Sequence, residues 1–142
     1  MAMPAQQVEQ KPILQKAAED GEFSQFLQAV DYTGLRDMLE SGGPYTIFAP
    51  TDEAFARLSS DGREMLLHDH TDLRGMLKYH MVKGIVTSDD VRRLGSVRSL
   101  EGRELNFYKW GEQTTVNGAL IVKPDITCKN GMIHAIDRLV LP

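Results

Sequence analysis

Tyr45-Thr46-Ile47-Phe48-Ala49-Pro50-Thr51-Asp52-Glu53-Ala54-Phe55 packs a strand, its stop and the start of a helix into one short stretch. Tyr45 to Phe48 are aromatic or β-branched, which suits a pleated, buried surface. Pro50 has no backbone N–H to give to a ladder, so the strand is expected to stop before it. Thr51 can then cap a helix with its hydroxyl, and Asp52 and Glu53 fall where the helix dipole favours negative charge. Phe55 and Leu58 supply that helix with an inner face.

Upstream the pattern is helical. Pro12 suits a first helical position ahead of Ile13, Leu14, Ala17 and Ala18, with Gly21 beyond the end. Phe23, Phe26, Leu27 and Val30 keep the i, i+3, i+4, i+7 spacing of one buried face. After Gly34, the series Leu35, Met38, Leu39 continues until Ser41-Gly42-Gly43-Pro44 breaks it. Downstream of a turn at residues 59–62, Met65, Leu66, Leu73, Met76 and Leu77 predict two short helices divided around residues 68–71. Tyr79 to Val86 then reads as a strand. Ser88 with Asp89 and Asp90 opens a brief helix that Gly95 can close.

The last third is β. Leu105 and Phe107 alternate with Asn106 and Tyr108 before a turn at Trp110-Gly111. Asn117-Gly118 joins Thr114–Val116 to Ala119–Val122 as a hairpin turn, both positions needing positive φ. Asn130-Gly131 repeats the signal ahead of a final run, Met132 to Leu141. The class is therefore α+β: helices first, then an antiparallel meander that buries one face on them or on a second sheet.

The 142 residues carry 16 basic and 20 acidic side chains, a formal charge of -4, and are 42% apolar. That is one domain with room for a core of its own, residues 12–142, behind a flexible polar segment 1–11. The acidic balance excludes nucleic acid as the main partner, because phosphate binding draws on clustered Lys and Arg. No apolar run reaches the ~20 residues of a membrane span. The N-terminus lacks the pattern of a secretory leader. A cytoplasmic protein and a trimmed, exported one both fit, and the single cysteine, Cys128, cannot close an internal bridge.

Few groups suggest chemistry. His68-Asp69-His70-Thr71-Asp72 contains metal-ligand types, but two histidines at i and i+2 diverge on a helix, so a solvated turn is expected and no metal. Phosphate loops, nucleophile elbows and paired zinc motifs are missing from the sequence. Cys128, with His80 or His134 as base, is the one conceivable nucleophile. Asp137 shares parity with Ile133, Ala135, Leu139 and Leu141, so its carboxylate would point inward and require donors: backbone amides or His80. Tyr79 and His80, as strand neighbours, would face opposite sides of the sheet, one of them a packed framework residue. Trp110, at a hairpin tip beside Tyr108, is the candidate aromatic anchor for a partner.

Three segments together resemble a fasciclin (FAS1) domain. Tyr45 to Phe55 is similar to the first family box. Leu77-Lys78-Tyr79-His80-Met81-Val82 resembles the central Tyr-His segment. Val116-Asn117-Gly118-Ala119, Asp125-Ile126, residues 130–137 and Leu139-Val140-Leu141-Pro142 resemble the second box in the same order, so the likeness covers about Ile13 to Pro142. The resemblance implies a wedge-like β-sandwich with helices gathered at one side. It also implies noncatalytic adhesion or binding at a cell surface, in matrix or in a periplasm, without a cofactor. In animal members the Tyr-His segment is linked to integrin binding, which transfers here to Tyr79, His80, Val82, Ile85 and Val86. A second adhesion-linked segment with a Pro-Asp-Ile core transfers to Pro124, Asp125 and Ile126, although Lys123 stands where those members carry an acid.

The expected function is thus a monomeric, noncatalytic binding module for a cell-surface or matrix protein or polysaccharide. Thr51, Asp52, His80 and Asp137 are its expected structural polar groups. The alternative is a small hydrolase or ligand-processing enzyme using Cys128, His134 and Asp137; a soluble accessory domain of a larger assembly is a third reading.

Overall fold

The computed structural model describes residues 13–41, 43–57, 70–129 and 131–140. Three helices open the chain: α1 (Ile13–Asp20), α2 (Ser24–Thr33) and α3 (Arg36–Ser41). Then come β1 (Tyr45–Pro50), α4 (Asp52–Ala56), α5 (His70–Tyr79), β2 (Met81–Lys83) and α6 (Ser88–Arg93). The remainder is β3 (Ser96–Arg98), β4 (Glu104–Trp110), β5 (Gln113–Val116), β6 (Ala119–Cys128) and β7 (Gly131–Ile136). The expected flexible segment 1–11, and Met65 and Leu66, lie outside the described residues.

The seven strands form one sheet in the order β2-β1-β7-β6-β5-β4-β3. All its neighbours are antiparallel except β1 and β7, which run parallel from Tyr45 opposite Gly131 to Pro50 opposite Ile136. The meander therefore does not stand apart from the helical half: its last strand slots beside its first. Both β1 and β7 are buried along their whole length. Ile47, Ala49, Ile133 and Ala135 face a core built with Phe23, Phe26, Leu35, Leu39, Leu73 and Leu77 of the helices. Phe48 and Ile136 face a second core with Leu105, Phe107, Val116 and Val140. Because β1 and β7 share that second core with β4 and β5, the sheet folds over on itself. The result is an α+β, sandwich-like wedge with helices on one side.

β6 makes the fold-over possible. It pairs with β5 at Ala119–Leu120 and with β7 from Ile121 to Cys128, with register breaks between Ile121 and Lys123 and between Lys123 and Ile126. Such bulges bend a strand and turn its side chains outward. The outermost strands, β2 and β3, are three residues each and end in Lys83 and Arg98.

Several local expectations change. Tyr79 closes α5 instead of opening a strand, because the helical series Leu73, Met76, Leu77 runs on through it, and only Met81–Lys83 is extended. The cap of α6 is Thr87, one residue earlier than Ser88, with a reciprocal capping box to Asp90. Pro50 ends within β1, and β7 stops at Ile136, short of Leu141. Asn117 and Gly118 do take positive φ, 50° and 89°. Gly131 does not serve a second turn of that kind: it is the first residue of β7, Cα-paired with Tyr45. A Cβ there would collide with the Tyr45 carbonyl oxygen and with Ile13 Cδ1. The glycine is required by close approach of β1 and α1, not by a turn. Gly131→Ala is expected to destabilise the domain by about 3 kcal/mol, since backbone cannot yield as a side chain can; a urea midpoint close to that of wild type would contradict this.

Candidate functional site

The buried central strands place polar side chains where water cannot serve them, and these side chains hold the neighbouring loops. On β1, Thr46 is fully buried; its hydroxyl donates to the Gly84 carbonyl at 2.7 Å and accepts from Val86 N at 2.8 Å. On β7, His134 Nε2 lies 2.7 Å from the Val86 carbonyl, while Asp125 N donates to its Nδ1 at 3.1 Å. Those two partners fix the neutral tautomer with hydrogen on Nε2. The ring stacks on Phe48 at 5.3 Å between centroids. Burial holds its pKa below the ordinary histidine value, against the opposing pull of the Val86 carbonyl and the Asp125 carboxylate.

Asp125 closes the circuit. It adopts φ 58° at the β6 bulge, and its carboxylate accepts from Ser88 N at 2.8 Å and from Ser88 Oγ at 2.5 Å. The two segments singled out by sequence, residues 79–86 and 124–126, are therefore brought together through Asp125, Ser88, His134 and Val86. Beside them a groove of about 340 Å³ runs between α6 and β5–β6, lined by Ser88, Arg92, Glu112, Leu120, Val122 and Pro124 among others. Ile85 in the first segment, and Val122 just before the second, are large exposed apolar residues, at 44% and 51%.

The structure distributes the nominated residues unevenly. Tyr79, His80, Val82 and Val86 are buried, Ile126 is half-buried, and Ile85, Pro124 and Asp125 are exposed. Tyr79 and His80 do not alternate across a strand; one ends α5 and the other lies in the turn before β2. The Tyr79 hydroxyl donates to the Glu104 carbonyl at 2.7 Å and accepts from Asn117 Nδ2 at 2.6 Å. Asn117 Oδ1 in turn accepts from Asn106 N at 2.7 Å, so Tyr79 anchors the β4–β6 turns to the helix end. Trp110 ends β4 opposite Gln113; its side chain lies outside the described residues. So do the side chains of the 68–72 cluster, although α5 begins at His70.

His80 is also fully buried. Its Nδ1 is 2.8 Å from the Met76 carbonyl, and its Nε2 accepts from Val140 N at 3.1 Å. The donor expected for Asp137 is thus spent on the Met76 carbonyl. Asp137 itself sits just past β7, accepts from Leu120 N at 2.8 Å through Oδ1, and approaches Arg57 at 3.6 Å. Thr51 Oγ1 accepts from Ala54 N at 3.2 Å as the cap of α4. Asp52 works elsewhere: its carboxylate accepts from Ser24 Oγ and Gln25 N, both at 2.7 Å, capping α2 across the fold. Lys123 pairs with Asp20 at 3.2 Å and Glu22 at 2.8 Å, which gives the basic residue before Pro124 a structural reason.

Cys128 and His134 spend their polar groups on backbone, and Asp137 divides its carboxylate between the Leu120 amide and Arg57. The Cys128 thiol is buried, contacts the Ile126 carbonyl at 3.5 Å, and is pushed up to about 11 by desolvation. A thiol so placed is a poor nucleophile near neutrality. Among the described residues no cluster of three or more His, Cys, Asp or Glu could hold a metal ion, and no helix is long and apolar enough to cross a membrane.

A family model for the fasciclin domain matches residues 21–142, and the chain belongs to that family. It is 40% identical over 129 residues to the uncharacterized protein sll1735 of Synechocystis sp., spanning 91% of this chain and 96% of that one. It is 35% identical over 123 residues to the transforming growth factor-beta-induced protein ig-h3 of Sus scrofa, but covers only 18% of that longer protein. Among solved structures, a FAS1 domain pair from the insect cell adhesion molecule fasciclin I superposes with a TM-score of 0.68 at 22% identity, over 86% of this chain and 46% of that one.

Three variants probe the framework. His80 ordinarily titrates near 6.5 and is pushed down to about 4 by burial, so the native state refuses a proton that the unfolded chain accepts. Its contribution is complete above pH 6.5 and is lost as pH falls toward 4, by about 3 kcal/mol. The stability gap between wild type and His80→Asn should shrink by that amount between pH 7 and pH 4 in urea titrations; a constant gap would refute the assignment. Asp137→Ala should cost about 2 kcal/mol by leaving the Leu120 amide without its acceptor, whereas Asp137→Asn, which keeps an oxygen in place, should cost less than half of that.

Proposed function

We propose that this fasciclin domain is a noncatalytic binding module that engages a cell-surface or matrix protein through the Ile85–Ser88 loop and the Val122–Ile126 bulge. The observation that carries the reading is the Asp125–Ser88 and His134–Val86 bonding, which holds the two segments side by side on a stiff base. Preorganisation of this kind lowers the ordering cost of association.

Exposed Ile85, Val122 and Pro124 next to a groove with one guanidinium, Arg92, and one carboxylate, Glu112, suit a protein surface better than a polysaccharide. Protein interfaces combine an apolar centre with a polar rim. The buried Tyr79, His80, Val82 and Val86 act in this reading as the base that presents the contact residues. The insect relative's description as a cell adhesion molecule supports the reading, as does the engagement of Cys128, His134 and Asp137 by backbone groups. A location outside the cytoplasmic membrane, and a monomeric domain acting through dense display, belong to the same proposal.

The test is adhesion of purified protein to the source organism's surface proteins. Ile85→Arg and Val122→Arg, both at exposed positions, should each weaken binding at least tenfold without changing the melting temperature, while Trp110→Ala reports whether the β4–β5 tip adds an anchor. Undiminished binding by both arginine variants would remove this face from the function. Loss of binding on deglycosylating the target, with the protein backbone intact, would shift the partner to carbohydrate.

A further inference from the structure

His134 differs from the other polar groups of the core in what it joins. One ring nitrogen is the acceptor for an amide of the β6 bulge, Asp125 N, and the other addresses the carbonyl of Val86 on the opposing loop. We propose that His134 is an acid-released latch: protonation of its ring detaches the Asp125 bulge from the Val86–Ser88 loop while the cores stay folded. This rests on the reading of those two segments as the contact face, and it supplies that face with a regulator.

The geometry allows one proton only. With hydrogen on Nε2 directed at Val86, Nδ1 must present a lone pair to the Asp125 N–H. Protonated imidazole carries hydrogen on both nitrogens, so Nδ1–H and the Asp125 N–H become two donors facing each other. The bulge is the part able to move. Pro124 and Asp125 lie within the second register break of β6, both are exposed, and Asp125 is held by Ser88 rather than by the β7 ladder. The β7 side is fixed by the parallel pairing with β1.

The surroundings set the sign. β1 presents the uncharged Phe48 ring, the loop before α6 presents Ser88, β6 presents the Asp125 carboxylate, and α6 contributes the positive charge of Arg92 acting on Asp125. Lys123, also on β6, is occupied with Asp20 and Glu22. Asp125 favours the charged ring, but burial outweighs it and the latched state resists protonation. Acid therefore favours the open state. His80 has the same donor-and-acceptor arrangement toward Met76 and Val140, yet lies wholly inside the fold, so its protonation is tied to loss of the core.

Amide hydrogen exchange of the intact domain, corrected for intrinsic rates and followed from pH 7.5 to pH 4.5, tests this directly. From about pH 6.5, where a free imidazole takes up its proton, down to the depressed His134 midpoint read from its ring nitrogen shifts, protection at Asp125 should fall about tenfold per pH unit, the slope of a single linked proton. Ile133 and Phe48 amides should keep their protection over the same range. A His134→Gln variant, if folded, should lose the slope at Asp125. Flat protection at Asp125 while the ring titrates, or loss at Asp125 together with Ile133 and Phe48, would overturn the latch. Because no partner enters the measurement, its failure leaves the contact face standing; undiminished adhesion of the arginine variants removes the contact face and leaves the latch standing.

Discussion

The parallel pairing of β1 with β7 is the constraint on which the rest depends. It inserts the last strand into the centre of the sheet, beside the first, and gives both strands two buried faces. Two consequences are forced. The register opposite Tyr45 has no room for a side chain, hence Gly131. And any polar residue on these strands must find its partners inside, hence Thr46 bonded to Gly84 and Val86, and His134 bonded to Val86 and Asp125. Burying a polar group is tolerable only when it is so matched.

That accounting turns a stability requirement into a surface. The partners recruited by Thr46 and His134 are backbone groups of two loops that regular pairing leaves unserved, and serving them fixes the loops. Tyr79 does the same at the other end of the sheet, clasping Asn117 and Glu104. The Tyr-His pair is thus two separate fasteners: tyrosine for the β4–β6 turns, histidine for the segment around Val140. What is left exposed between the fasteners is a crest, Ile85 on one loop and Val122 to Asp125 on the other, the face proposed above for contact.

Much of the local structure was legible in the sequence because it follows from short-range chemistry. Thr51 caps as its hydroxyl and position imply, Asn117-Gly118 turns as its φ requirements demand, and Phe23, Phe26 and Val30 bury the face their spacing defines. The misreadings share one cause, distance along the chain. The hairpin expected at Asn130-Gly131 does form between β6 and β7, but nothing near Gly131 announces that a strand from residue 45 will press against it, so the glycine looks like a turn residue when it is the first residue of β7. Asp52 does place its charge in the first turn of its own helix, but that its oxygens also cap α2 no local pattern announces. Lys123 reads as a departure from a motif until Asp20 and Glu22 arrive beside it. The site was legible by its segments, not by its wiring: His134 and Ser88, which couple those segments, carry no local signal of the role.

A last consequence lies at the margins of the sheet. β2 and β3 are stubs, three residues each, and each finishes on a cation. Such borders offer an approaching chain too few free amides to zip onto, and they repel a like copy of themselves. A molecule crowded at high local density is thus kept from fusing edge to edge with its own kind. Resistance to self-pairing is carried by the margins of the wedge rather than by the crest proposed for contact.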